Sequence, residues 1–193
     1  MSLNDIRGFC NFQEIYKNYV NEAQNGSVFV ELGSLYGLST AYMASYIKES
    51  GKNITFYAID YFDLRGISAG EWSQEDYNYV RGLGGIVEDN SMCYNAFIKA
   101  LTIRELIDYV TPMRLASNDA VNSFQDNSID FLFIDADHTY EGCKQDIELW
   151  LPKVKTGGVI AGHDYDWAGV KQAVDEKFGN RVVKPFTSWI VQN

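Results

Sequence analysis

The apolar run Phe131-Leu132-Phe133-Ile134 stops on Asp135-Ala136-Asp137-His138, and a second run, ending at Gly162, stops on His163-Asp164. These are the chain's only two histidines, and both stand beside carboxylates. A neutral imidazole can take a proton near pH 7, so the pairing suggests proton transfer. A short, continuous apolar run suits a strand covered on both faces, usually parallel and central. In an open parallel sheet the ligand crevice lies beyond the carboxyl ends of the strands, where these polar residues would fall. His138 also has a plainer reading, as a cap for the helix expected from Tyr140 or as a solvated ring. Asp137 either orients His138 or, as we favour, starts that helix.

A second constellation lies earlier, in Glu31-Leu32-Gly33-Ser34-Leu35-Tyr36-Gly37. Gly33 and Gly37 can adopt positive φ and admit a ligand close to the main chain, and the following helix, containing Ser39, presents free N–H groups. The G-x-x-x-G spacing departs from the G-x-G-x-x-G dinucleotide fingerprint, with no third glycine for a pyrophosphate. Glu31 would repel a phosphate but accept bonds from an amine or cationic group. Asp60, closing Ile54-Thr-Phe-Tyr-Ala-Ile-Asp60, is placed to accept both hydroxyls of a ribose. A ribose without a diphosphate points to S-adenosylmethionine. Ser34, Ser39 and Tyr61 join this candidate set, although a glycine loop alone is often only a turn and aromatics at strand ends are often core edge.

The elements that must position these residues are legible from hydrophobic period and turn signals. Helices are expected at Asn11–Ala23, Ser39–Glu49, Asn95–Tyr109, Asp119–Phe124, Tyr140–Leu151 and Ala168–Phe178. Strands are expected at Val28–Leu32, Ile54–Asp60, Val110–Ala116, Phe131–Asp135 and Gly157–Asp164, with a final pair at Arg181–Phe186 and Ser188–Val191. Alternating strand and helix predict a doubly wound, Rossmann-like α/β fold: a mostly parallel, seven-stranded sheet with a C-terminal antiparallel hairpin. The expectation is a single domain over 1–193, with 1–25 a helical cap and 61–95 an insertion near the site, where Trp72 and Tyr77 would line an acceptor pocket.

Bulk properties narrow the partners. A formal charge of −10 opposes binding to nucleic acid and acidic membranes. Cys10, Cys93 and Cys143 are far apart, in no C-x-x-C spacing, and suggest neither a disulfide framework nor a zinc site. With no segment approaching the ~20 apolar residues of a membrane span and no signal-peptide pattern, a cytoplasmic location is expected. The sequence leaves room for a homo-oligomer.

The stretches VFVELGSLYGLSTAYMA, YAIDYFD, FLFIDADHTYEGCKQDIELWLPKVKTGGVIAGHDY and VKQAVDEKFG resemble class I S-adenosylmethionine-dependent methyltransferases, in the group with macrocin O-methyltransferase-like and cephalosporin-hydroxylase-like proteins. Catechol O-methyltransferase is a more distant relative. The resemblance runs from about Val28 to Val191, and its third block is the specific one.

The resemblance implies O-methylation of a small-molecule or sugar hydroxyl, with S-adenosylmethionine as cofactor and a divalent cation, Mg²⁺ or Mn²⁺, assisting. Asp135 and Asp164 would supply oxygen ligands. The adjacent pair found in similar metal-dependent enzymes matches His163-Asp164, and His163 departs from the acidic residue often found there; either the preference shifts toward Mn²⁺ or His163 does not ligate. By the same resemblance His138 matches the base, with Asp135 beside it, and Ser117 and Asn118 match the adenine-contacting segment. Ser117-Asn118-Asp119 equally suits a helix N-cap. Two rivals remain at this point. One is a glycosyltransferase reading D-A-D as a metal-holding D-x-D, and the other is a non-catalytic nucleoside-binding module.

Overall fold

The computed structural model describes residues 2–62, 75, 78, 79, 82 and 92–193. The element order is α1 (Gln13–Glu22), β1 (Ser27–Leu32), α2 (Leu38–Ser50), β2 (Ile54–Asp60), α3 (Met92–Thr102), β3 (Thr111–Arg114), α4 (Ser117–Ala120), β4 (Ile129–Ile134), α5 (Tyr140–Trp150), β5 (Val154–Gly162), α6 (Ala168–Phe178) and β6 (Trp189–Gln192). The strands form one six-stranded sheet in the order β3-β2-β1-β4-β5-β6, parallel except for the antiparallel β5–β6 pair. β1 pairs with β2 on one side and β4 on the other. The chain order therefore reverses there, which opens a crevice beyond the β1 and β4 carboxyl ends.

Two apolar layers explain the unbroken Phe131–Ile134 run. Phe131 and Phe133 pack into the layer containing α1, α2 and α3, whereas Leu132 and Ile134 pack into the layer containing α5 and α6. Burial on both faces leaves no position for a polar residue, and each such side chain contributes about 2 kcal/mol. α1 belongs to the first layer: Phe12 and Tyr16 pack on Phe133, and Tyr19 stacks on Phe131 at 4.6 Å.

Three sequence expectations change. The sheet has six strands among the described residues, not seven, because the Arg181–Phe186 segment pairs only at Val183, which exchanges both backbone hydrogen bonds with Ile190. Pro185 has no N–H to continue that ladder. α3 ends at Thr102 instead of Tyr109, because Glu105 adopts a left-handed φ of 56° and the Leu106 N–H returns to the Leu101 carbonyl. β5 begins at Val154 and ends at Gly162, so His163 and Asp164 lie on the turn beyond it. Most of the 61–95 insertion, including Trp72 and Tyr77, lies outside the described residues. No helix among the described residues is long and apolar enough to cross a membrane.

Candidate active site

At the switch point, the loop after β1 touches the end of β4. Gly33 has φ 88°, and a Cβ there would fall 2.0 Å from the Asp135 carbonyl oxygen. Gly37, also at φ 88°, caps α2, and a Cβ on it would meet the Phe97 ring at 2.8 Å. Both glycines take the positive φ that the sequence reading expected, and packing within the chain leaves no room for a side chain at either.

Asp60 ties this loop to the end of β2. Its Oδ2 accepts the N–H groups of Ser34 at 2.9 Å and Leu35 at 2.8 Å, and its Oδ1 accepts that of Phe62 at 2.6 Å. Tyr61 is half-exposed beside it.

Glu31 is placed differently from the ligand-facing carboxylate that was expected. It is 1 % exposed, and the hydroxyls of Tyr16, Ser34 and Thr40 donate to it, with Ser39 alongside. Burial pushes its carboxyl above the usual range, and these hydroxyls pull it back only in part. It holds α1, the loop and α2 together from beneath. Ser117 likewise turns its hydroxyl inward, donating to the buried carboxylate of Asp146, while Asn118 is exposed.

Beyond β4 and β5 the structure gathers Asp135, His138 and Asp164. One ligand atom from each lies within 4.8 Å of the others. His138 Nε2 is 3.0 Å from Asp164 Oδ2 and 3.5 Å from Asp135 Oδ1, yet it is buried without a hydrogen-bond partner. Asp137 stands apart from the group: its Oδ1 accepts the Thr139 N–H at 2.8 Å, and Thr139 in turn caps α5 through the Gly142 N–H. Asp164 turns the chain in a left-handed conformation, φ 53°, closed by the Trp167 N–H on its carbonyl.

His163, which the sequence left as either a ligand beside Asp164 or a non-ligand, is not in that group among the described residues. It is 5 % exposed and packs on Phe12. Its Nε2 lies 3.0 Å from Asn11 Oδ1 and 2.9 Å from Thr187 Oγ1, and its Nδ1 lies 3.2 Å from Asp164 Oδ1. The ring therefore orients Asp164 from behind.

The four groups shift one another. Asp135 moves up, chiefly through burial, with the histidines opposing. His138 is raised above its ordinary value by Asp135 first, against burial, and then by Asp164. Burial acts to lower His163, but Asp164 and Asp135 outweigh it and the net shift is upward. For Asp164 burial acts to raise the carboxyl, and His163 and His138 reverse this, leaving it below the usual range. Two carboxylates and an imidazole nitrogen lying close to both form a donor set able to hold a divalent cation or move a proton.

Sequence reasoning missed Asn11, Thr187 and Trp167. Trp167, three residues after Asp164, has its ring 5.1 Å from that of His138. Asn11 and Thr187 carry no local signal, since they reach His163 from 152 and 24 residues away.

A family model, a curated relative and several solved structures are similar to this chain. A family described as a methyltransferase domain matches residues 30–165, more than half of the chain, including Asp135, His138, His163 and Asp164. The uncharacterized protein y4gI of Sinorhizobium fredii is 25% identical over 135 residues, covering 70% of this chain, which spans only 13% of that relative's length. The fold is similar to the O-methyltransferase NovP (TM-score 0.65, 18% identity, 95% of this chain and 78% of that one). It is also similar to a putative O-methyltransferase from Klebsiella pneumoniae (0.63, 15%, 95% and 80%) and a putative caffeoyl-CoA O-methyltransferase from Staphylococcus aureus (0.63, 12%, 99% and 88%). None of these matches supports the glycosyltransferase rival, and Asp137 is spent on the α5 turn. On its sequence match and its fold together, the chain belongs to the methyltransferase-domain family.

Proposed function

We propose that this chain transfers the methyl group of S-adenosylmethionine to a hydroxyl of a small-molecule acceptor, assisted by a divalent cation. The observation that carries the reading is the approach of the Asp135–His138–Asp164 group to the β1 loop, where Gly33 meets Asp135. S-adenosylmethionine, when bound, supplies a methyl group on a positively charged sulfur. Asp60 would accept its ribose hydroxyls while holding the Ser34 and Leu35 amides, and Tyr61 and Asn118 would flank the base.

The donor set fits a cation: Asp135 and Asp164 offer oxygens, and the Nε2 of His138 lies within 3.5 Å of both carboxylates. The imidazole favours Mn²⁺ or a related ion over Mg²⁺. Such an ion would stabilise negative charge developing on the acceptor oxygen. His163, anchored by Asn11 and Thr187, keeps Asp164 in place. Asp135, made more basic by burial, would receive the acceptor's proton.

A second reading dispenses with the cation and gives that proton to His138, favoured by the two carboxylates beside its Nε2. Thermal shift separates the class-level rivals: stabilisation by S-adenosylhomocysteine and not by a uridine diphosphate sugar supports methyl transfer, and the reverse pattern refutes it. Turnover that survives exhaustive chelation selects the second reading.

A further inference from the structure

Gly169 stands in the first turn of α6, where the backbone is helical and no left-handed φ requires a glycine. Alanine is the better helix former, so local structure gives no reason for this residue. The reason is tertiary. A Cβ at position 169 would fall 2.6 Å from the Tyr140 amide nitrogen, 2.8 Å from the His138 carbonyl oxygen and 3.0 Å from the Thr139 carbonyl carbon. All three are backbone atoms, which cannot rotate aside as the end of a side chain can. Within α5, a Cβ on Gly142 would run into the Asp137 carboxyl, which itself accepts the Thr139 N–H. The first turns of both helices thus close on the segment 137–140. Two further contacts bring the same end of α6 to the His138 side chain. The ring of Trp167, the N-cap of α6, lies 5.1 Å from the imidazole, and its backbone N–H donates to the Asp164 carbonyl at 2.8 Å. Asp164 Oδ2 in turn meets His138 Nε2 at 3.0 Å. Val170 and Val174 are buried in one layer with Cys143 and Ile147 of α5, so the helix cannot tilt away without uncovering apolar surface.

We propose that Gly169 and Trp167 are positioning residues that set the spacing of His138 and Asp164: Gly169 by admitting the end of α6 to the His138 carbonyl, Trp167 by packing on the imidazole. The inference rests on the reading of His138 and Asp164 as ligands or proton carriers and extends it to what fixes their geometry. Restoring ordinary contact at ~3.5 Å around an alanine at 169 displaces the helix end by about 1 Å. The Asp164 turn, closed by the Trp167 N–H, moves with it. A misplacement of ~1 Å between reacting groups costs on the order of 10²-fold in rate. Asp60 and its partners Ser34, Leu35 and Phe62 lie on other elements, so the cofactor end of the crevice is left as it was.

The test uses the full chain with Gly169→Ala, Trp167→Ala, Trp167→Phe and, as a control one turn further along α6, the buried Ala173→Gly. Four quantities are read: melting temperature, calorimetric affinity for Mn²⁺, calorimetric affinity for S-adenosylhomocysteine, and the imidazole resonances by NMR without metal. The chain has only two histidines, so the two rings are readily told apart. Gly169→Ala and Trp167→Ala are expected to move the His138 resonances and not those of His163, to weaken Mn²⁺ binding roughly tenfold or more, and to leave S-adenosylhomocysteine affinity unchanged. Trp167→Phe restores most of both effects, and Ala173→Gly lowers the melting temperature alone. Unmoved His138 resonances in Gly169→Ala, or the same losses in Ala173→Gly, overturn the proposal. Should Gly169→Ala fail to fold, Trp167→Ala, at a position 54 % exposed, decides by the same criteria. If the wild-type chain binds no Mn²⁺, the cation-assisted reading falls and the His138 resonances alone decide the positioning roles.

Discussion

His163 Nδ1 lies 3.2 Å from Asp164 Oδ1, while the other nitrogen of the same ring is held by Asn11 and Thr187. The N-terminal segment and the turn before β6 thereby fix the direction of a carboxylate at the end of β5. Partners of this kind, one bond behind a ligand, set the ligand's orientation and basicity. His163→Ala should lower Mn²⁺ affinity by about 10- to 100-fold and leave S-adenosylhomocysteine affinity unchanged, both read by calorimetry. Equal Mn²⁺ affinity would remove His163 from this role.

His138 faces the two carboxylates directly. His138→Ala should reduce turnover by ~10²-fold or more without altering cofactor affinity. The cause is then assigned by titrating the variant with Mn²⁺: lost ion binding identifies a ligand, retained ion binding a base. A variant with wild-type turnover would exclude both roles.

Asp60 joins the ends of β1 and β2 through three backbone N–H groups. Asp60→Ala leaves those donors without a partner and removes the acceptor proposed for the ribose. Cofactor binding should weaken by about 1 to 3 kcal/mol, with Asp60→Asn intermediate because it keeps one acceptor. Unchanged calorimetric affinity would argue that the ribose is gripped elsewhere.

Asp146 gives the fold a pH dependence. Burial pushes its carboxyl from 3.8 up to about 6, with the Ser117 hydroxyl pulling the other way. The folded chain therefore holds this proton more tightly than the unfolded one. The contribution to stability is full below the ordinary carboxylate value, declines as the pH rises toward about 6 and is absent above it. The shift corresponds to roughly 3 kcal/mol. Asp146→Asn should flatten the melting temperature across that window, and a variant that tracks the wild type at every pH would locate the dependence in another group.

The sequence by itself determined the alternation of elements and, to within two residues, the end of each central strand. Helical and strand periods are local, and polar residues that close an apolar run mark the end of a strand; Asp60, Asp135 and the His163-Asp164 pair were legible for that reason. The strand count was less so, because pairing at Val183 depends on a partner and on the missing N–H of Pro185.

Tertiary structure alone decided what the side chains at those ends face. Glu31 sits in the strand just before the glycine loop, yet the pleat turns it under the loop toward Tyr16 and Thr40, where it holds helices and not a ligand. The left-handed turn at Asp164 and the distant grip of Asn11 and Thr187 set His163 behind the carboxylate and leave His138 in front. Such directions follow from backbone angles at single turn residues and from bonds between segments far apart in the chain, and neither leaves a local pattern to read.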